Sequence, residues 1–148
     1  MEANKSLEGA ALRRSELEVA MQQVERTAAA PAANTSWVDD LTHAVRQLEI
    51  ALDHHIVEVE APSGLLDQIV DTAPRLQRSA GETRRHHTLL TSEVIGLLGR
   101  LGTAREGGRQ DVDGIRTAVI DLLNELARHR QQGADLIYEA YDVDIGGY

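Results

Sequence analysis

Apolar residues recur along this chain at alternating steps of three and four, the spacing that lines one face of an α-helix. They do so in four separate stretches. The first, residues 7–27, carries the thinnest stripe: Leu7, Ala10, Leu17, Ala20 or Met21, and Val24. The second, residues 37–60, reads Val38, Leu41, Val45, Leu48, Leu52, His55, Val59. The third, residues 74–101, reads Leu76, Ala80, Thr83, His87, Leu90, Val94, Leu97, Leu101. The fourth, residues 112–140, reads Ile115, Val119, Leu122, Leu126, His129, Gly133, Leu136.

Between these stretches lie segments with the chemistry that interrupts helices. Residues 28–36 are Ala-rich around Pro31, residues 61–74 open with Pro62-Ser63-Gly64 and close with Pro74, and residues 102–110 are Gly-rich. Ser36 stands where an N-cap belongs, with Asp39 at the reciprocal position of a capping box. Pro74 suits a first helical turn. Within the middle break, residues 65–70 (LLDQIV) predict a short additional helix. Four amphipathic helices with short links predict one all-α domain over residues 1–148, an antiparallel up-down four-helix bundle with a short extra helix between the second and third.

Composition sharpens this picture. Only 3% of residues are aromatic and there is no Phe, so a core must be aliphatic, which suits close-packed helices. A net charge of −9 argues against a nucleic-acid or anionic membrane partner, both of which reward basic clusters. The absence of Cys excludes disulfides, iron–sulfur clusters and a thiol nucleophile. No apolar run approaches a membrane span, and the N-terminal residues lack the apolar centre of a secretion signal, so a cytoplasmic protein is expected.

Candidate chemistry lies with the histidines. One falls on the inward seam of each of the last three predicted helices: His55, His87 and His129. A buried imidazole needs partners for two nitrogens, so three on converging seams point to a shared polar site. Their heights agree roughly. His87 lies 14 residues before Leu101 and His129 lies 17 after Val112, or about 21 and about 26 Å from the intervening turn. Glu58, one turn beyond His54 and His55, adds a carboxylate to that side of the second helix. Mixed histidine and carboxylate ligation inside a bundle suits non-haem iron or manganese. His54, about 100° around the helix from His55, is a boundary residue, a group that supports a ligand, or a further candidate ligand. Glu125, Asp135, Tyr138 and Glu139 are further candidate ligands on the fourth helix.

The order His-x3-Glu in LDHHIVEVEAPSGLL, a His in the middle of the third helix and a His late in LLNELARHRQQGADLIYEAY resembles the hemerythrin-like, HHE-type cation-binding domains over roughly residues 37–141. That resemblance implies a four-helix bundle holding an oxo- or hydroxo-bridged di-iron centre that reacts with dioxygen, peroxide or nitric oxide. It carries His55, Glu58, His87 and His129 as ligands. The chain departs from the pattern in three places. The first helix has no His, Gly133 stands where an acid is normally found, and Thr83 and Thr91 flank His87. One iron, two irons or none are therefore all open on the residues alone.

Other chemistry is poorly supported. Nothing resembles a nucleophile elbow, and the Gly-rich segment at Arg105–Arg109 lacks the strand of a phosphate loop and is read as a flexible turn. Too few aromatic residues remain to wall a porphyrin. The segment from Tyr138 to Tyr148 is read as a cap on one end of the bundle or as a frayed acidic tail. The alternative function is a metal-free helical interaction module, with Ala10, Ala11 and Ala20 as a docking side for a protein partner or a second copy, and Trp37 as core or dimer contact.

Overall fold

A computed structural model describes residues 2–107 and 111–142, with side chains from Lys5 onward. The elements are α1 (Glu2–Ala29), α2 (Trp37–Glu60), α3 (Leu65–Thr72), α4 (Gln77–Gly107) and α5 (Val112–Tyr141), with a 3-10 turn at Pro74–Leu76 leading into α4. No strand occurs among the described residues. The four long helices form an antiparallel bundle in which each neighbour pair is tied at two heights. Glu16 meets His54 while Trp37 meets Thr27 across α1 and α2, and Asp39 meets Arg105 while Glu60 meets His87 across α2 and α4. Arg100 meets Asp111 and His86 meets Glu125 across α4 and α5, and Glu18 meets Arg130 while Ala28 meets Arg116 across α1 and α5. The all-α bundle and its short extra helix are as the periodicity predicts.

Three local expectations are corrected. The third break is shorter than residues 102–110, because α4 continues to Gly107. Leu101 and Ala104 are buried, so the apolar seam runs on past Gly102, and packing outweighs the low helix propensity of a single glycine. Residues 105–107 are thus helical, and the rest of the expected turn, 108–110, lies outside the described residues. At the start of α2, Ser36 makes no cap bond to the backbone; its hydroxyl lies 3.0 Å from Asn34 Oδ1 and 2.9 Å from Asp40 Oδ2 and shares its one proton between them, while Asp39 pairs with Arg105.

The α1–α2 connection is held by satisfying the last carbonyls of α1. Trp37 Nε1 donates to Thr27 O at 3.1 Å, and Arg116 donates to Ala28 O and Ala30 O, both at 2.8 Å. Trp37 is only 2% exposed and is a core residue, with the Arg116 guanidinium over its ring. Two of the three small residues expected as a docking side face inward, since Ala10 and Ala20 are buried, while Ala11 is partly exposed.

The core is divided in two. One apolar cluster runs from Leu17 to Ala28 on α1 and includes Leu41, Leu48 and Leu52 on α2, Leu90 to Ala104 on α4 and Ile115 to Leu126 on α5. The other comprises Ala10, Val59, Leu65, Leu66, Ile69, Leu76, Ala80, Leu136 and Ile137 with their neighbours, so α3 closes that end of the bundle. Helix α3 therefore takes the place of the cap that one of the two readings gave to the C-terminal segment. Tyr138 is 51% exposed and no cap, Tyr141 packs beside the second cluster, and residues 143–148 of that segment lie outside the described residues.

Candidate metal centre

What separates the two apolar clusters is a single polar layer. Among the described residues the buried polar side chains are Arg14, His55, His87 and His129, one from each long helix. Each occupies a seam position between apolar neighbours: Arg14 between Ala10 and Leu17, His55 between Leu52 and Val59, His87 between Ala80 and Leu90, and His129 between Leu126 and Leu136. The regular three–four stepping of each helix turns all four inward, and the register between the helices brings them to one cavity.

The three rings meet edge to edge. Their centroids are 4.7 to 5.4 Å apart and their planes 64° to 90° from parallel, so nitrogens converge and faces do not stack. His129 Nε2 lies 3.1 Å from His87 Nε2 and 3.3 Å from His55 Nε2. One ligand nitrogen from each ring falls within 4.8 Å of the others. Nitrogens bound at about 2.05 Å to a tetrahedral ion stand about 3.3 Å apart, a spacing that the two distances to His129 Nε2 match.

Proton placement is consistent with the same fit. Glu60 Oε2 accepts from His87 Nδ1 at 2.5 Å, so a neutral His87 keeps a lone pair on Nε2. A proton on His129 Nε2 satisfies that lone pair, but His55 must then aim a second N–H at it or hold its own proton on Nδ1. His55 Nδ1 is buried with no hydrogen-bond partner. With His55 Nε2 donating to His129 instead, the lone pairs of His129 and His87 face each other. A His129 Nε2–H shared between His87 Nε2 and His55 Nε2 leaves only His55 Nδ1 without a partner, and a cation at the centre, taking all three Nε2 lone pairs, does the same, so the three lone pairs fit a cation as well as a shared proton.

The protonation states suit a cation. Burial pushes the His55 ring down to about 3, with the charges of His87 and Arg14 acting in the same direction. Burial pushes His129 down to about 2, with His87, His55 and His86 adding to it. His87 is also lowered by burial, although Glu60 pulls the other way. All three are neutral imidazoles at pH 7, the form that binds metals.

Two chains of polar groups lead outward from the layer. Glu60, the last residue of α2, bridges His87 to Arg84, whose guanidinium also reaches Asp67 on α3 at 3.1 Å. On the other side His129 Nδ1 lies 3.3 Å from His86 Nδ1, His86 Nε2 lies 3.5 Å from Glu125, and Arg128 holds the second Glu125 oxygen at 2.8 Å. Beside the rings is a cavity of about 40 Å³ walled largely by apolar side chains, among them Met21, Leu66, Ile69, Leu126 and Ile137. A space of this size holds about one or two water-sized molecules.

Of the predicted ligands, the structure brings together His55, His87 and His129. Glu58 is turned toward α1, where it lies 3.8 Å from Arg13 and closes over Gly9. His54 sits at the surface against Glu16 at 2.6 Å. Glu125 stands one residue removed from the layer, behind His86. Asp135 is exposed and accepts from Gln131, Tyr138 is exposed, and Glu139 contributes only a backbone carbonyl, to Arg75. Sequence reasoning missed three residues. Arg14 was available from the stepping 10–14–17 of α1, but a basic residue invites an outward assignment. His86 lies off the inward seam of α4, beside His87, so periodicity gives it no signal. Glu60 carries no signal within its own helix, since it meets His87 across a helix–helix interface. No protein-family model, curated protein or solved structure matches this chain.

Proposed function

We propose that this protein binds one first-row transition metal ion, iron in our reading, through the Nε2 atoms of His55, His87 and His129. The observation that carries the proposal is the convergence of three buried imidazoles from three helices, with one nitrogen of each within 4.8 Å of the others. Imidazole ligands suit iron, copper, nickel and zinc. The resemblance to hemerythrin-like domains adds weight to iron, as it does to dioxygen, peroxide or nitric oxide as the ligand. Glu58 and the α5 carboxylates lie away from the rings, which favours one ion over two. Three protein ligands leave coordination positions open toward the apolar cavity, where a bound ion supplies a Lewis-acidic and redox-active centre.

Glu60 accepts the His87 Nδ1 proton and so directs the opposite lone pair inward. The apolar walls from α3 and α5 keep bulk water from the rings. Mass spectrometry on protein expressed with iron available tests this reading. About one metal ion per chain is expected, with most of it lost in His87→Ala and in His129→Ala. Folded wild-type protein without metal, or unchanged metal content in both variants, overturns it. That outcome transfers the weight to a metal-free interaction module. The exposed side chains Leu12 and Val19 on α1 and Ile50 and Val57 on α2 would then be its docking face, and chelators would leave unfolding unchanged.

A further inference from the structure

Of the three inward rings, His129 is the one whose outward nitrogen meets another imidazole. Its Nδ1 lies 3.3 Å from His86 Nδ1. A neutral His129 has one proton to place, and in that contact one Nδ1 donates while the other accepts. The choice sets what His129 Nε2 presents to His55 and His87, a lone pair or an N–H.

Glu125 decides between them. Its Oε2 lies 3.5 Å from His86 Nε2, and Arg128 holds its Oε1 at 2.8 Å, which fixes the carboxylate against that edge of the ring. A lone pair on His86 Nε2 would face the carboxylate and be repelled, whereas an N–H there is attracted. With that proton on Nε2, His86 Nδ1 is the acceptor and His129 Nδ1 the donor. Deepening the metal site proposed above, on which its purpose rests, we infer that His86 and Glu125 are positioning residues. They hold the His129 proton on Nδ1 and so turn its Nε2 lone pair toward the other two rings before any ion arrives. This removes the arrangement in which His129 Nε2–H is shared between its neighbours. Glu60 does the same for His87 from the other side of α4. The adjacent residues His86 and His87 therefore each link a carboxylate to the layer, one through a second ring and one directly. The two lone pairs so fixed, on His87 and His129 Nε2, stand 3.1 Å apart, a contact that repels until a cation enters it. His86 and Glu125 line the open cleft between α4 and α5 and lie outside both apolar clusters, so either can be exchanged without opening the core.

The test reads the tautomer of His129 in the full chain, metal-free and labelled with nitrogen-15 at histidine. Long-range proton–nitrogen correlation near neutral pH separates protonated from unprotonated ring nitrogens. Wild type is expected to carry the His129 proton on Nδ1. Glu125→Leu should shift it toward Nε2 and weaken zinc by about tenfold or more in competition against a coloured chelator. Asp135→Asn, which removes the same charge from the same cleft, should change neither. A wild-type His129 protonated on Nε2 overturns the inference, needs no variant to fold, and leaves the metal reading to its own test of metal content. An unchanged tautomer in Glu125→Leu overturns it as well. Wild type with the proton on Nδ1 that takes up no metal supports the positioning and overturns the metal reading alone.

Discussion

Glu60 shows how one carboxylate can matter to the centre without touching an ion. Its Oε1 faces Arg84 and its Oε2 takes the His87 Nδ1 proton, so the ring is fixed in orientation and tautomer together. Partners of this kind typically change metal affinity by about 10- to 100-fold. Glu60→Gln should weaken binding within that range in a competition against a coloured chelator, whereas Glu58→Gln, on the α1 side of the helix, should leave it unchanged. Equal effects from the two would return Glu58 to the ligand set. The contrast also marks how far the candidate site was legible. His55, His87 and His129 were visible because helical periodicity alone puts them inward. Glu58 looked plausible because i, i+3 neighbours share a helix face, but that face is broad and this part of it meets Gly9 and Arg13 of α1. Glu60 was invisible, because its partner belongs to another helix and only the register between helices reveals it.

At the scale of the element, the helices hold more glycine than their packing requires. Gly96 and Gly99 lie on the solvent side of α4, and a Cβ at either would meet nothing within 4 Å. Alanine there should stabilise the fold by about 0.5–1 kcal/mol each through backbone entropy, read as a rise in the urea midpoint. Gly114 is different. Asp111 caps α5 by accepting from the Gly114 N–H and also pairs with Arg100, and a Cβ on Gly114 would fall 2.2 Å from Asp111 Oδ2. Gly114→Ala must displace the cap, so its gain should be smaller than that of Gly99→Ala or negative; an equal gain would show that the cap contributes nothing. These positions explain why the elements were legible and some of their ends were not. Seams such as Leu48–Leu52–His55 and Leu90–Val94–Leu97 are long enough to fix each helix. An isolated glycine like Gly102 reads as a break but is carried along when Leu101 and Ala104 keep burying surface around it. Ser36 likewise has cap chemistry, yet its hydroxyl is taken by Asn34 and Asp40.

Across the whole molecule the histidine layer couples folding to acidity. In the unfolded chain each ring titrates near 6.5, while in the fold burial holds His55 at about 3 and His129 at about 2. His87 is lowered as well. Above pH 6.5 neither state carries the extra protons, and the stability of the metal-free protein is at its full value. Below it the unfolded chain takes up protons that the folded layer refuses, so stability falls with pH until the folded rings themselves titrate near pH 3. Each ring contributes up to about 1.4 kcal/mol per pH unit and the three together up to about 4. Against a total of about 5–15 kcal/mol for a domain, a loss of that slope should unfold the metal-free bundle between about pH 3 and 5.3. Helical circular dichroism against urea at a series of pH values measures this directly. A midpoint flat from pH 7 to 5 would mean the rings are hydrated and the layer open. Replacing His129 with Leu should lower the slope by about one proton's worth, because a titrating group is removed from the layer. Metal acts in the opposite sense, since an ion bound by the fold and not by the unfolded chain adds stability in proportion to the logarithm of its concentration. Protons and metal compete for the same three nitrogens, so added metal should move the acid transition to lower pH. A transition that stays in place with metal present would separate the acid sensitivity of the layer from any role in binding a cation.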